Sequence, residues 1–84
     1  MPQITVYSGP NCPYCVRAKE LLKKKGAAFT EVDVKADAQQ FEKMLSLSNG
    51  KRTIPQIFIG NHHVGGCDDL YALDKEGKLD ALLK

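Results

Sequence analysis

Two thiols separated by two residues, in the tetrapeptide CPYC at residues 12–15, are the groups of this sequence best suited to chemistry. Cysteines at this spacing can close a small disulfide and open it again. The pair follows a short apolar segment and a turn-forming run at residues 8–11, and a helical pattern begins directly after it. A strand-to-helix position of this kind is typical of redox-active cysteine pairs, so the spacing predicts thiol–disulfide exchange.

Cys12 is the predicted nucleophile because it stands at the start of that helix. Pro13 is tolerated at the first helical position, so the sulfur of the preceding residue can accept hydrogen bonds from free backbone N–H groups. The helix dipole favours a thiolate at the same place, and Arg17 and Lys19 add positive charge. Cys15, one turn further along, is expected to point inward and to resolve a mixed disulfide formed at Cys12.

Half of a zinc site is the alternative use of such a pair. A structural zinc site needs four ligands, and the others would have to come from Cys67, His62 or His63, since the sequence has no second pair at this spacing. The chain contains three cysteines, an odd number that does not suit a secreted disulfide scaffold. Disulfides in the cytosol are usually transient and catalytic, so redox chemistry is the preferred interpretation.

Thr53, Ile54 and Pro55 precede an apolar run and form a second candidate segment. Proline cannot donate to a sheet ladder, so Pro55 belongs at the start or the edge of a strand. A cis bond would turn the backbone of Ile54 outward, where its N–H and C=O could pair with an extended peptide. The residues alone favour trans, because only about 5–6% of such bonds are cis in folded proteins.

A third segment, GGCDD at residues 65–69, combines two glycines with the start of a helix. Glycines allow a close approach of the backbone, and helix N-termini bind carboxylates through free N–H groups. Asp68 could cap the helix or accept an ammonium group of a ligand, and both roles stay open. Cys67 is either a packed apolar residue or a secondary thiol. Tyr14 is expected to be exposed, where it either contacts a substrate or is an ordinary surface aromatic.

Hydrophobic periodicity predicts the elements that must position these three segments. Strands are predicted over 3–7, 28–34, 56–59 and 62–64, and helices over 13–25, 38–47, 68–73 and 78–83. A strand–helix–strand unit implies a parallel pair with a right-handed crossover, and the closing hairpin adds antiparallel strands. The prediction is an α/β fold, a small four-stranded mixed sheet flanked by helices, with His62 and His63 solvated on the hairpin.

Length and charge restrict the class of protein. The 84 residues are expected to form a single domain over 1–84, because a chain of this size buries only about 60% of its unfolded surface in one core. A formal net charge of +2 gives no argument for binding nucleic acid or a membrane surface. No signal peptide is expected, and the apolar runs are far shorter than the ~20 residues that span a bilayer. A cytoplasmic protein is therefore expected.

With the three segments in this order and spacing, the chain resembles the glutaredoxin family, and within it the small bacterial dithiol kind. The resemblance covers essentially the whole chain and includes the runs PQIFI at residues 55–59 and DDLYAL at 68–73. It implies a thioredoxin fold with a cis bond between Ile54 and Pro55. It also implies glutathione as the electron donor, and a monomer with no bound cofactor is expected.

The family's chemistry, carried over to these residues, gives each thiol a role. Cys12 would take glutathione from a glutathionylated protein as a mixed disulfide, and a second glutathione would release it. For protein disulfides, Cys15 would complete a dithiol cycle. Glutathione would pair its cysteine backbone with Ile54 and place its γ-glutamyl carboxylate and ammonium at Cys67 and Asp68. The residues implied to bind glutathione are Tyr14, Thr53, Ile54, Pro55, Gly66, Cys67 and Asp68.

Two other functions are compatible with the same residues. One is a redoxin of similar fold that receives electrons from thioredoxin reductase, which would leave the segments at 53–55 and 66–68 without a role. The other is an iron–sulfur carrier that joins two chains through Cys12 and glutathione. Pro13 stiffens the turn and disfavours that assembly.

The sequence departs from the family's pattern at Gly9, where the family usually has a lysine three residues before the nucleophile. That lysine is held to bind the glycyl carboxylate of glutathione and to favour the thiolate. Its absence predicts a weaker affinity for glutathione than in lysine-bearing relatives. Lys51 or Arg52 could replace it in part.

The helix-terminus argument predicts that the pKa of reduced Cys12 lies well below the usual value of about 8.5. The rate at which iodoacetamide alkylates Cys12, followed against pH by mass spectrometry of the modified peptide, gives that pKa directly. Glutathione alkylated under the same conditions supplies the reference for an unperturbed thiol. A Cys12 that stays unreactive near pH 6 would contradict the argument.

Overall fold

Eight elements follow one another along the chain in the order that the periodicity predicts. The computed structural model describes residues 2–84. Its elements are β1 (Ile4–Ser8), α1 (Pro13–Lys24), β2 (Thr30–Asp33), α2 (Ala38–Leu47), β3 (Gln56–Ile59), β4 (His62–Gly65), α3 (Cys67–Lys75) and α4 (Leu79–Leu82). No helix in this part of the chain is both long and apolar enough to cross a membrane.

The strands form one mixed sheet in the order β2-β1-β3-β4. β1 runs parallel to β2, with Ser8 opposite Asp33, because α1 carries the chain back across the sheet between them. β3 is antiparallel to β1 and forms a hairpin with β4, at a turn where Gly60 adopts a positive φ of 59°. The predicted four-stranded mixed sheet flanked by helices is confirmed.

Alternation along β1 divides the interior into two hydrophobic clusters, one on each face of the sheet. Ile4 and Val6 face one cluster, and Tyr7 faces the other. The first cluster packs against α1, α3 and α4 and contains Ile4, Val6, Ala18, Leu21, Leu22, Ala27, Ile57, Ile59, Cys67, Leu70, Leu79 and Leu83. The second packs against α2 and contains Tyr7, Val34, Met44 and Phe58. Both faces of the sheet are therefore covered, which leaves the chemistry to the loops at its ends.

Three strands differ from their predicted bounds. β1 extends one residue further, to Ser8, because that side chain is buried and its hydroxyl donates to the Glu31 carboxylate on β2 (2.7 Å). β2 covers only Thr30–Asp33 of the predicted 28–34, because pairing with β1 begins at its first residue. β4 also runs one residue further, to Gly65, which still pairs with β3.

The helices follow the prediction more closely. α2 occupies its predicted range because the Asp37 carboxylate accepts a hydrogen bond from the backbone N–H of Gln39 (2.9 Å) and caps the helix. α3 starts one residue earlier than predicted and continues to Lys75, since the chain turns only at Gly77. α4 is a single turn within the predicted 78–83.

A buried serine and an ion pair fix α1 against the two strands that end beside its first turn. Glu31 on β2 accepts hydrogen bonds from the Ser8 hydroxyl on β1 and from the Lys19 ammonium on α1, both at 2.7 Å. These hydrogen bonds hold the pKa of Glu31 below its usual value, and the one from Lys19 has the larger effect. Lys19 is therefore committed to Glu31, so the expectation that it adds charge at Cys12 is not supported.

Replacing Glu31 by glutamine should destabilise the fold at neutral pH more than in acid. A carboxylate with a depressed folded-state pKa stabilises the fold above its unfolded pKa, and this stabilisation is lost as the pH falls through the folded value. We expect Glu31→Gln to lower the free energy of unfolding by about 1 kcal/mol at pH 7 and by less at pH 3.

Urea unfolding at the two pH values measures this difference. Glu20→Gln, at an exposed position of α1, is the matched control and should leave the stability nearly unchanged. An equal loss at both pH values would show that the charge of Glu31 is not what holds α1 in place.

Candidate active site

The sulfur of Cys12 caps the first turn of α1. Cys12 is the N-cap residue, with an extended backbone, and its Sγ accepts a hydrogen bond from the N–H of Cys15 (3.2 Å). Asn11 adopts a positive φ of 56°, a conformation in which asparagine is enriched, and so turns the chain from the strand into the helix. The predicted place of Cys12 at the helix start is confirmed.

Cys12 and Cys15 are joined by a disulfide, with their Cα atoms 5.2 Å apart. The two residues differ in their access to solvent. Cys12 is partly exposed, whereas Cys15 is only 1% exposed and points inward as predicted. The pair can therefore present one sulfur to a substrate while the other is held behind it.

The bond between Ile54 and Pro55 is cis. The trans bond that the residues alone favoured is wrong, and the cis bond that the resemblance implied is confirmed. The segment lies directly beside the cysteines, because the carbonyl oxygen of Ile54 is 4.0 Å from the Sγ of Cys12. Pro55 is buried and immediately precedes β3, at the strand entry where it was predicted.

Two glycines bring the start of α3 against this segment. A Cβ on Gly66 would already lie in contact with the Pro55 carbonyl oxygen, at 3.5 Å. Gly65 has a φ of 113°, and a Cβ there would collide with the Asp69 carboxylate, so conformation and space both require glycine. Asp69 also accepts the Gly66 N–H (3.0 Å), so Asp69 caps the helix and the exposed Asp68 does not.

Cys67, the first residue of α3, is a buried free thiol that belongs to the first hydrophobic cluster. Burial raises the pKa of this thiol, and the neighbouring Asp68 carboxylate raises it further. A protonated thiol that is 5% exposed behaves as a small apolar side chain. Of the two roles left open for Cys67, the structure favours packing.

The three segments meet around one cavity of about 600 Å³, a volume typical of small-molecule sites. The structure brings together here all seven residues that the resemblance implied for a ligand, which are Tyr14, Thr53, Ile54, Pro55, Gly66, Cys67 and Asp68. The lining also includes residues without a predicted ligand role, which are Lys51, Gln56, His63, Val64, Gly65 and Asp69. Tyr14 is 54% exposed, as expected, so the cavity opens to solvent beside the cysteines.

A chain of hydrogen bonds that the sequence did not reveal supports one wall of the cavity. The Gln56 amide donates to the backbone oxygen and the hydroxyl of Thr53, at 3.0 and 3.1 Å, so its Oε1 accepts from Nε2 of His63 at 2.8 Å. The His63 ring also stacks on Phe58, with 4.6 Å between centroids. The prediction of a solvated His63 is wrong, whereas His62 is exposed as predicted. The alternation of the hairpin, which pairs His63 with Phe58, is the signal that could have found this contact.

Three of the cations near the site have defined neighbours. Arg17 lies over the Tyr14 ring, 5.8 Å from its centroid, and Arg52 lies over the Phe41 ring at the same distance. Lys51 and Arg52 were suggested as substitutes for the lysine that is missing at position 9. Of these two, Lys51 lines the cavity. Among residues 2–84, no three His, Cys, Asp or Glu side chains come together in a way that could hold a metal ion.

Comparisons with known proteins agree on one family. A family model described as glutaredoxin matches residues 4–64. Glutaredoxin 3 of Escherichia coli is 51% identical over 84 residues, which cover 100% of both chains. The solution structure of a glutaredoxin from Brucella melitensis is 56% identical, with a TM-score of 0.87 over 100% of this chain and 90% of that one. The buckwheat glutaredoxin, in a crystal structure of its glutathione complex, is 33% identical, with a TM-score of 0.86 over 98% of this chain and 76% of that one. The predicted thioredoxin fold is thereby confirmed.

Replacing His63 by glutamine should make the fold less sensitive to acid. Burial holds the pKa of His63 below its usual value of about 6.5, against the opposing charge of Asp69. As the pH falls, this histidine is therefore protonated in the unfolded chain before it is protonated in the folded chain. The stability that neutral His63 contributes is present above about pH 6.5 and is lost as the pH falls towards the folded pKa.

Urea unfolding between pH 7.5 and pH 5 tests this, with His62→Gln on the exposed neighbour as the control. We expect His63→Gln to flatten the pH dependence of the unfolding free energy, and His62→Gln to keep that of the unchanged chain. If the two variants behaved alike, the partly buried position of His63 against Gln56 would not be the cause.

Proposed function

The chain belongs to the glutaredoxin family and is a thiol–disulfide oxidoreductase, and we propose that it works with glutathione as electron donor and Cys12 as nucleophile. The observation that carries the proposal is the disulfide between Cys12 and the buried Cys15 at the start of α1, beside a cavity lined by the residues expected for glutathione. The substrates are then glutathione mixed disulfides and protein disulfides.

Three features support Cys12 as the attacking thiol. Its sulfur holds the N-cap position, where the N–H of Cys15 and the other free N–H groups of the first turn stabilise a thiolate. The dipole of α1 adds positive potential at the same point. Cys12 is also accessible, whereas the 1% exposed Cys15 cannot meet a protein substrate first. Cys15 is therefore the resolving thiol.

Glutathione mixed disulfides are reduced through Cys12 alone. Its thiolate attacks the glutathione sulfur of the mixed disulfide, since only attack at that sulfur leaves glutathione on the enzyme. A Cys12–glutathione disulfide forms, and the sulfur of the substrate protein leaves as a thiolate and takes a proton. The thiolate of a second glutathione then attacks the bound glutathione sulfur. This step releases glutathione disulfide and restores the Cys12 thiolate.

Protein disulfides require both cysteines. Cys12 attacks one sulfur of the substrate, the other sulfur leaves and is protonated, and a mixed disulfide joins the two proteins. Cys15, after losing its proton, attacks the Cys12 sulfur, which closes the pair and frees the second substrate thiol. The Cys12–Cys15 disulfide of this structure corresponds to that product. Two glutathiones reopen it and leave as glutathione disulfide.

Glutathione is proposed to lie extended along the cavity, past the cysteine pair. The backbone of Ile54 pairs with the cysteine of glutathione, which the 4.0 Å separation between the Ile54 oxygen and the Cys12 sulfur supports. The γ-glutamyl carboxylate lies beside Gly66 at the start of α3, where the N–H of Cys67 and the next N–H groups of the first turn favour an anion, since the Gly66 N–H itself is bonded to Asp69. Asp68 is exposed and not used as a cap, so it is available for the γ-glutamyl ammonium.

The remaining residues of the predicted set complete the binding surface. Tyr14 covers the glutathione chain from the side of α1, and Thr53 and Pro55 line the groove on the opposite side. The Gln56–Thr53 hydrogen bonds hold this part of the wall in one conformation. The proposal also includes a single domain, a monomeric state and a cytoplasmic location.

The main alternative is a redoxin that receives its electrons from thioredoxin reductase. That function would leave the cavity without a ligand. Turnover of a glutathione mixed disulfide coupled to glutathione reductase and NADPH distinguishes the two donors. We expect NADPH oxidation with glutathione and glutathione reductase and none with thioredoxin reductase in their place. The opposite pattern would overturn the proposed donor.

Substitution of each cysteine by serine should separate the two cycles. Cys12→Ser removes the attacking sulfur and should reduce both activities to the uncatalysed background. Cys15→Ser should keep the reduction of glutathione mixed disulfides and lose that of protein disulfides. Rates are measured with a glutathionylated peptide and with a protein disulfide under identical conditions.

Ala28→Ser, which adds a serine at an exposed position outside the cavity, is the matched control. It should retain both activities. Activity in Cys12→Ser together with its loss in Cys15→Ser would mean that the two roles are reversed.

A further inference from the structure

Gly9 and Lys35 meet at the edge of the sheet where α1 begins. Gly9 follows the last residue of β1, and Lys35 lies two residues beyond Asp33, the end of β2. β1 and β2 are parallel, with Ser8 opposite Asp33, so both segments leave the sheet at the same edge. The segment that starts at Gly9 reaches Cys12 three residues later.

The side chain of Lys35 fills the space that a side chain at position 9 would need. A Cβ placed on Gly9 would lie 2.8 Å from the Cγ of Lys35 and 3.0 Å from the Cδ1 of Ile54. Gly9 is not among the glycines with a positive φ, so its missing side chain provides space and not conformational freedom. The aliphatic stem of Lys35 therefore lies over the loop before Cys12, and Ile54 borders the same small space.

The backbone of Lys35 is fixed while its ammonium is available. The carboxylate of Asp33 accepts the N–H groups of Lys35 and Ala36, at 2.8 and 3.1 Å. The N–H of Val34 donates to the Ser8 carbonyl at 2.9 Å, which ties the preceding residue to β1. Within residues 2–84, no ion pair involves the Lys35 ammonium.

A continuous line of contacts connects this lysine to the start of α3. Gly66 meets the carbonyl of Pro55, Ile54 precedes Pro55, and Ile54 borders the space shared by Gly9 and Lys35. An extended tripeptide spans about 10 Å. If one of its carboxylates lies at the start of α3 and its middle residue pairs with Ile54, the other carboxylate falls beyond Ile54, on the side of Lys35.

We propose that Lys35 provides the cation for the glycyl carboxylate of glutathione, and that Gly9 is a glycine so that the Lys35 stem can lie there. This inference rests on the proposed function, because it assigns one end of the same substrate. An ammonium on a flexible stem acts as a point charge that can follow a carboxylate, and Gly9 lets that stem approach the site.

Lys51 is the competing cation. It lines the cavity, and its backbone is held by Ser48, whose hydroxyl accepts the Lys51 N–H at 3.1 Å. Lys51 lines the cavity together with His63 of β4, whereas the side chains that border Gly9 are those of Lys35 and Ile54. Arg52 lies over the Phe41 ring and does not line the cavity. The test therefore has to compare Lys35 with Lys51.

The experiment measures single-turnover rate constants of the reduced enzyme with two fluorescent peptide mixed disulfides. One carries glutathione, and the other carries glutathione whose glycyl carboxylate is converted to an amide. Lys35→Gln should slow the first reaction about 2- to 5-fold, the range expected for one exposed charge pair, and leave the second unchanged. Lys35→Arg keeps the charge and should stay near the rate of the unchanged enzyme. Lys24→Gln, exposed at the end of α1, is the matched control for loss of one positive charge.

The outcomes separate this inference from the proposed function. An unchanged enzyme that reduces neither substrate overturns the proposed function itself. An active enzyme in which Lys35→Gln is as fast as Lys24→Gln on both substrates overturns only the role of Lys35. A carboxylate-dependent loss in Lys51→Gln but not in Lys35→Gln assigns the cation to Lys51 and also overturns it.

A transfer of the charge to position 9 tests the shared space directly. Gly9→Lys alone should bring no gain, because the new stem meets that of Lys35. The double variant Gly9→Lys/Lys35→Ala, which removes the Cγ that occupies this space, should recover the rate that loss of the Lys35 charge costs on the carboxylate substrate. A gain in Gly9→Lys alone, or no recovery in the double variant, would contradict the view that the two side chains compete for one place.

Discussion

The unpaired backbone N–H groups in the first turn of α1 are the constraint on which the site depends. A helix leaves these groups without partners of its own, and here a sulfur takes the place that a hydroxyl or carboxylate oxygen commonly fills. Such a cap is useful for chemistry only if the helix start is held still. The hydrogen bond from the buried Ser8 to Glu31 and the ion pair of Lys19 with the same carboxylate do this, since they join α1 to both strands.

The rest of the cavity is built by bringing backbone close to that sulfur. The Ile54 carbonyl approaches it from one side, and Gly65 and Gly66 allow the start of α3 to approach Pro55 from the other. Side chains mostly support this arrangement from behind, as Gln56 does for the wall at residues 53–55. Backbone groups that border a cavity suit a small peptide, because peptide groups pair with N–H and C=O in a fixed geometry.

The local features of this fold could be predicted from the sequence. Asp37 as an N-cap and the run after residue 47 gave the bounds of α2, and the apolar run after Pro55 gave β3, because these signals lie within a few residues of the element they define. The two cysteines were placed correctly for the same reason. The spacing of the three segments identified the family, and through it the thioredoxin fold and the cis bond, which the residues alone argued against.

Contacts between residues far apart in the chain could not be predicted from the sequence. Lys19 looked available to Cys12 until its pairing with Glu31 on β2 was known, and His63 looked solvated until the hairpin placed it against Phe58 and Gln56. Each depends on which side chains the folded sheet brings together. The place of Lys35 above Gly9 is of the same kind, since it follows from the parallel register of β1 and β2.

The burial of Cys15 behind Cys12 also determines how the protein withstands oxidants. The thiolate proposed for the accessible Cys12 would attack hydrogen peroxide, release hydroxide and become a sulfenic acid, which further peroxide would drive to irreversible acids. A thiol three residues away condenses with the sulfenic acid and expels water, so the reaction ends at a disulfide. Cys67, protonated and enclosed, offers peroxide no second target. Oxidative injury to this site is thus confined to a state that ordinary thiols can reverse.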